Sequence, residues 1–197
     1  MLDIFDATIG LLLPRVCRRY CQGRVSAARL GPVGGRMQDR FEWPEPEHDA
    51  DKVILRNVRN HGCHVTGIPD ANPPFAFSIG LYLNYGHSEL IIFGQSAQNA
   101  QAIINLIRDR AAAGHKFADG DISDELLENG YKLGFWQVPF GAYPDYLGTA
   151  IWFYRKSRLS FPCLQVVWQD ADRHFPWEAD CSLDVRRDQP LLKRTVS

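Results

Sequence analysis

Apolar positions recur at two different periods along this chain. In CHVTGIP (63–69) and FAFSIGL (75–81), apolar and β-branched residues form short runs, which predicts two strands. The PDANPP segment between them is turn chemistry, since Pro fixes φ and Asn and Asp tolerate tight bends, so a hairpin follows. ELIIFG (89–94) is apolar without a break, the pattern of a strand buried on both faces. The period then changes. Ala100, Ile103, Ile104, Ile107 and Ala111 fall on one helical stripe, with Ser96 where an N-cap belongs and Gly114 where a C-cap belongs. DADKVILRNVRNHG predicts a shorter helix, started by Asp49 or Asp51 and ended by Gly62. Tyr131–Val138 reads as a strand. PDYLGTAIWFYRKS reads as a helix with Pro144 in its first turn, and PCLQVVWQD as a last strand. Strands and helices mix without strict alternation. The expectation is a single α+β domain: a mainly antiparallel sheet of about five strands with two or three packed helices.

Composition changes this picture mainly at the ends. The chain has 197 residues, 45% hydrophobic, ample for one core. Residues 31–50 are rich in Gly, Pro and charge and read as linker. From Arg15 to Arg40 there are seven arginines and one acid, against a net charge of −1 for the whole chain. We therefore expect a disordered basic arm over 1–45, a domain over 46–182 and a C-terminal tail over 183–197, with Met37 a possible natural start. The near-neutral total argues against nucleic acid as partner. IGLLLP is too short to span a membrane, and its basic residues follow the apolar run, the reverse of a secretory signal. Five cysteines (17, 21, 63, 163 and 181) with one close pair do not make a zinc ribbon; reduced thiols in a cytoplasm are expected.

Candidate chemistry gathers between Asn60 and Gly94, which hold three of six histidines. His61 and His64 are three apart, and His87 could join them as a third ligand for a divalent metal. His87 and Glu89 share a strand face if the strand has already begun, and a carboxylate that orients an imidazole can move protons. Against both stands a structural reading, in which each ring bonds backbone and Gly86 supplies a turn. The acidic stretch from Asp119 mimics a calcium loop, but Asp124 stands where Gly is needed and Gly130 where Glu is needed. Aromatics crowd the C-terminal third. They can be core, or they can wall a cavity for a planar ligand such as a flavin.

Several blocks in fixed order carry a resemblance: His61-Gly62, then SIGL, then GHSELIIFG, then FPCLQVVWQD, then FPWE. They resemble the bacterial family called domain of unknown function 4262, over about residues 50–180. Departures are Cys63 for Trp, Phe77 and Ser78 for Tyr and Thr, and Ser88 and Gln169 for Pro. The resemblance implies a compact domain and directs attention to His61, Gly80, His87, Glu89, Gln165, Asp170 and Trp177. No complete catalytic constellation is visible. The expected function is therefore a cytoplasmic binding or accessory module for a small molecule or a protein. The alternatives are a metal-assisted hydrolase using the His/Glu site and a flavin-binding barrel.

Overall fold

The computed structural model describes residues 38–192. The expectations for the arm up to Met37, with Cys17 and Cys21, and for the last five residues lie outside the described residues.

The chain enters through Phe41 and Trp43, which pack against helices rather than trailing free. Helix α1 (Asp49–His61) starts at His48, not at an aspartate; Asp51 accepts the backbone N–H groups of Glu47 and His48 at 2.9 and 3.0 Å. Gly62 ends it as expected, in the left-handed region at φ 75°. Strands β1 (His64–Ile68) and β2 (Phe75–Ile79) form the expected hairpin, with Thr66 opposite Phe77. A short helix, α2 (Leu81–Tyr85), turns the chain into β3 (Glu89–Phe93). Then come α3 (Ala97–Ala112), β4 (Ile122–Ser123), β5 (Leu133–Gln137), α4 (Tyr143–Tyr146), α5 (Gly148–Arg155), β6 (Cys163–Trp168) and α6 (Leu183–Asp188).

The α+β class stands. Among the described residues the sheet has six strands where about five were expected, in the order β1-β2-β3-β6-β5-β4. It is mixed: β3 and β6 run parallel at the centre, and the other pairings are antiparallel. Helices number six among the described residues, against two or three expected. The sheet is open, with β1 at one edge and β4 at the other, which overturns the flavin-binding barrel. None of the described helices is long and apolar enough to cross a membrane.

Helices cover both faces, and strand alternation sorts the core into two layers. Leu90 and Ile92 of β3 join Leu164 and Val166 of β6 beneath α3 and α6. Ile91 and Phe93 join Phe77, Ile79 and Cys163 beneath α1, α4 and α5. Every residue of β3 and β6 is buried, as a strand with both faces covered must be.

Two buried glutamines fix the C-terminal segment to this centre. Gln189, just past α6, gives its amide to the Trp168 carbonyl and takes the Trp168 N–H, both at 2.9 Å. Gln165 holds the Pro190 carbonyl and the Leu192 N–H, both at 2.8 Å. Side-chain amides here replace a neighbouring strand, so the region read from sequence as tail is tied to β6. We expect Gln189→Leu to remove the partners of both backbone polar groups of Trp168 and lower the unfolding free energy by about 2 kcal/mol in urea denaturation. A change under about 0.5 kcal/mol would mean that the clamp carries no stability.

Candidate functional site

Glu89 opens β3 and is fully buried. A carboxylate is an acceptor only, so burial demands donors. Four are supplied from three directions. The Ser78 hydroxyl of β2 donates to one oxygen at 2.5 Å. The other oxygen accepts the Gly80 N–H at 2.8 Å, the Tyr82 N–H at 3.1 Å and the Tyr154 hydroxyl of α5. The Gly80 and Tyr82 amides lie at the start of α2, so Glu89 caps that helix from inside the protein. Its own N–H donates to the Pro162 carbonyl at 2.9 Å, joining β3 to the approach to β6. Burial pushes the Glu89 pKa up. The bonds from Ser78, Tyr154, Tyr82 and Gly80 pull it back, and the net direction is upward. Tyr154 is pushed well up by its own burial and by the Glu89 charge.

Gly80 is required where it stands. Its φ is 106°, and a Cβ there would come within 2.7 Å of Val58 and 3.2 Å of the Gly62 carbonyl. The Asn84 amide bridges the two glycine carbonyls, at 2.9 Å to Gly62 and 3.2 Å to Gly80, and so locks α2 to the end of α1.

His87 leaves the chain toward the other layer and does not meet Glu89. Its ring lies 6.0 Å from that of Phe117, in the layer under α3, while Glu89 meets Tyr154 under α5. The Phe117 N–H donates to Nε2 at 3.2 Å, so Nδ1 carries the proton and donates to the Ser88 carbonyl at 2.7 Å. Both ring nitrogens are used by backbone. Burial depresses the His87 pKa; the Ser88 bond opposes that, and Lys116 and His115 add to it. His61 is exposed at the end of α1. His64 accepts from the Asn57 amide at 3.0 Å. The three imidazoles do not converge, and no group of three His, Cys, Asp or Glu among the described residues could hold a metal. The reason is the one that Gly62 announces: the helix ends between His61 and His64, and the rings part.

Of the remaining expected residues, Gln165 and Asp170 also hold backbone, and Trp177 packs. Gln165 clamps the C-terminal segment, as above. Asp170 accepts the N–H groups of Asp172, His174 and Ser182 at 3.1, 2.8 and 2.9 Å, organising the loop after β6. Burial raises its pKa, but the bonds from His174, Ser182 and Cys181 outweigh it, and the net shift is downward. Cys181 and His174 flank Asp170, with His174 Nδ1 at 3.7 Å. The carboxylate stands between thiol and imidazole, the wrong order for a thiol nucleophile, and burial raises the thiol pKa further. Trp177 stacks on Phe175 at 4.3 Å and closes over Gly134, where a Cβ would meet the indole at 2.9 Å. The acidic loop serves backbone as well: Asp119 takes the Gln137 N–H at 2.7 Å and Asp121 the Ala118 N–H at 2.8 Å.

Space for a ligand lies elsewhere. A cleft of about 410 Å³ opens between the hairpin turn and the β3–α3 junction, at the carboxyl ends of β3 and β6. Ile68, Pro69, Pro74, Phe75 and Trp168 form its apolar walls. Gln95, Ser96 and Asn99 bring polar atoms to it. The Gln95 side-chain oxygen accepts from the Asn99 side-chain amide at 3.3 Å, and Ser96 caps α3 by accepting the Asn99 backbone N–H at 3.3 Å. Sequence reading missed this cleft because its walls are ordinary core residue types and its polar groups are neutral.

A family model described as "Domain of unknown function (DUF4262)" matches residues 57–182. The chain belongs to this family. No curated protein and no solved structure matches it. Glu89, His87, Gly80, Gln165, Asp170 and Trp177 all fall within the DUF4262 match, and all of them hold the fold in the ways described. Ser78, where the family pattern reads Thr, keeps the hydroxyl that Glu89 requires.

Removing the Glu89 carboxylate orphans four donors, so Glu89→Leu is expected to lose at least about 3 kcal/mol in urea denaturation. Glu89→Gln tests the charge. With a raised folded pKa, the stability Glu89 contributes is full below the ordinary carboxylate range and is lost as pH rises through the raised value. His64 and His87, both depressed, favour higher pH, but they are common to wild type and variant and cancel in the difference. Wild type should therefore gain on Glu89→Gln as pH falls from neutrality toward the carboxylate range. A gap independent of pH would contradict the raised pKa.

Proposed function

We propose that this DUF4262 domain is a binding module for a small, partly apolar ligand, held in the cleft between the hairpin turn and the start of α3. One observation carries the reading. The cleft is of ligand size, and the residues that line it include no acid, base or thiol. Ligand pockets commonly occupy roughly 300–1,000 Å³, with apolar walls and a few polar groups that set orientation. Here Phe75 and Trp168 supply the walls, and the Gln95 and Asn99 amides read a carbonyl, amide or hydroxyl on the ligand. The position adds support, since ligands of open sheets containing parallel strands collect outside the carboxyl ends of those strands. Catalysis by His87 and Glu89 would need both side chains to abandon buried backbone partners. The module reading needs no such change.

The test is an amide NMR titration with benzamide and nicotinamide as uncharged probes. Shifts should concentrate in residues 67–76 and 94–100. Ala97→Trp, at an exposed position on the rim, should abolish them without lowering stability. Probes that bind nowhere, or that shift only other regions, would refute the assignment.

A further inference from the structure

A second groove, of about 580 Å³, lies on the outer side of α1. Lys52, Arg56 and Arg59 stand at i, i+4 and i+7, one face of the helix, and Lys156 borders the same groove from just past α5. Lys52 pairs with Asp49 at 2.9 Å and Lys156 with Glu45 at 3.6 Å. Among the described residues, no carboxylate lies within ion-pair distance of Arg56 or Arg59.

Arg59 is held in place by a ring instead. Its guanidinium carbon lies 4.2 Å from the Trp43 ring centroid. Trp43 is braced edge-on by Phe41 at 5.2 Å and Phe153 at 5.8 Å. The stacking orients the guanidinium and leaves its charge uncompensated. Four cations and one carboxylate, Glu45, thus line one groove; Lys52 and Lys156 are paired with Asp49 and Glu45, and Arg56 and Arg59 carry the unpaired positive charge.

The segments that adjoin the described residues are themselves basic and ill suited to fill it. Residues 15–40 carry seven arginines and one acid, and the last five residues include Lys193 and Arg194. Most of the lining, from Trp43 to Arg56, also precedes the span that the family model matches, so the groove is a feature of this chain beyond the family description.

We propose that this groove binds a small phosphate monoester, with Arg56 and Arg59 gripping the phosphate and Lys52 and Lys156 adding charge. A planar guanidinium presents paired donors that match phosphate oxygens. The groove exceeds the size of a phosphate ion, and Trp43 and Leu55 offer apolar surface to the rest of the molecule. The site shares no residue with the cleft by α3, so either assignment can fail alone.

Isothermal titration with AMP, adenosine and a tetraglutamate peptide tests it, using the full chain and Arg56→Gln/Arg59→Gln, with Lys156→Gln as a second variant that disturbs no ring contact. AMP should bind with submillimolar affinity. Binding should weaken at least about tenfold in the double variant, and measurably in Lys156→Gln, and it should fall as salt rises. Adenosine should bind at least about tenfold more weakly than AMP. The proposal is overturned if AMP fails to bind at millimolar concentration, if its binding survives the double variant while urea denaturation shows both proteins folded, or if only the acidic peptide binds.

Discussion

A carboxylate without water must be surrounded by donors, and the centre of this fold is arranged around that requirement. Glu89 is fully buried, and its oxygens collect a hydroxyl from β2, two amides from the start of α2 and a hydroxyl from α5. One side chain thus sets where the hairpin ends, where the next helix begins and how α5 lies on the sheet. Gly80 lets the backbone approach closely enough to donate, and Asn84 ties the same turn to α1. If any donor were missing, the buried charge would be undersatisfied by an amount comparable with a large share of a domain's net stability.

In this chain the polar residues of the blocks that carry the resemblance lie between backbone segments and bond them. His87 holds the Phe117 amide, Gln165 holds the C-terminal segment and Asp170 gathers three amides of one loop. A pattern of His, Glu, Gln and Asp that suggests chemistry in a list of residues thus describes how buried polar backbone is satisfied where the sheet's strands end. The cleft by α3 and the groove by α1 are lined by other residues, and the groove lies largely outside the matched span.

Periodicity made much of the fold legible. β1, β2, β3, β5, β6 and α3 fall within a few residues of their expected positions, β3 and β6 as unbroken apolar runs buried on both faces and α3 as a helical stripe. What escaped has identifiable causes. β4 is two residues long and Ile122 is mostly exposed, so it leaves no pattern. α2 is a single turn held by Glu89 from a distance, and α6 buries only Val185 within its span. The helix expected from Pro144 onward breaks at Leu147 into α4 and α5, with Leu147 and Ala150 both buried. Phe41 and Trp43 sit in a Pro- and charge-rich stretch that reads as linker, yet their rings complete one layer of the core. His87 and Glu89 could be singled out from sequence, but not their separation, because a two-residue spacing puts side chains on one face only if both belong to the strand, and β3 starts at Glu89. Ser78 was legible as a polar residue inside an apolar run. Tyr154 was not, since its helical spacing fits core equally well.

The most direct measurement of this account is a double-mutant cycle between Glu89→Leu and Tyr154→Phe, read by urea denaturation at neutral pH. The two residues are 65 positions apart in the chain and joined by a buried hydrogen bond. If Glu89 is the junction described, the two losses are not additive, and the coupling energy is of the order of 1–3 kcal/mol. Losses that add to within about 0.3 kcal/mol would show that the two side chains act independently, and the carboxylate would lose its central place in the fold.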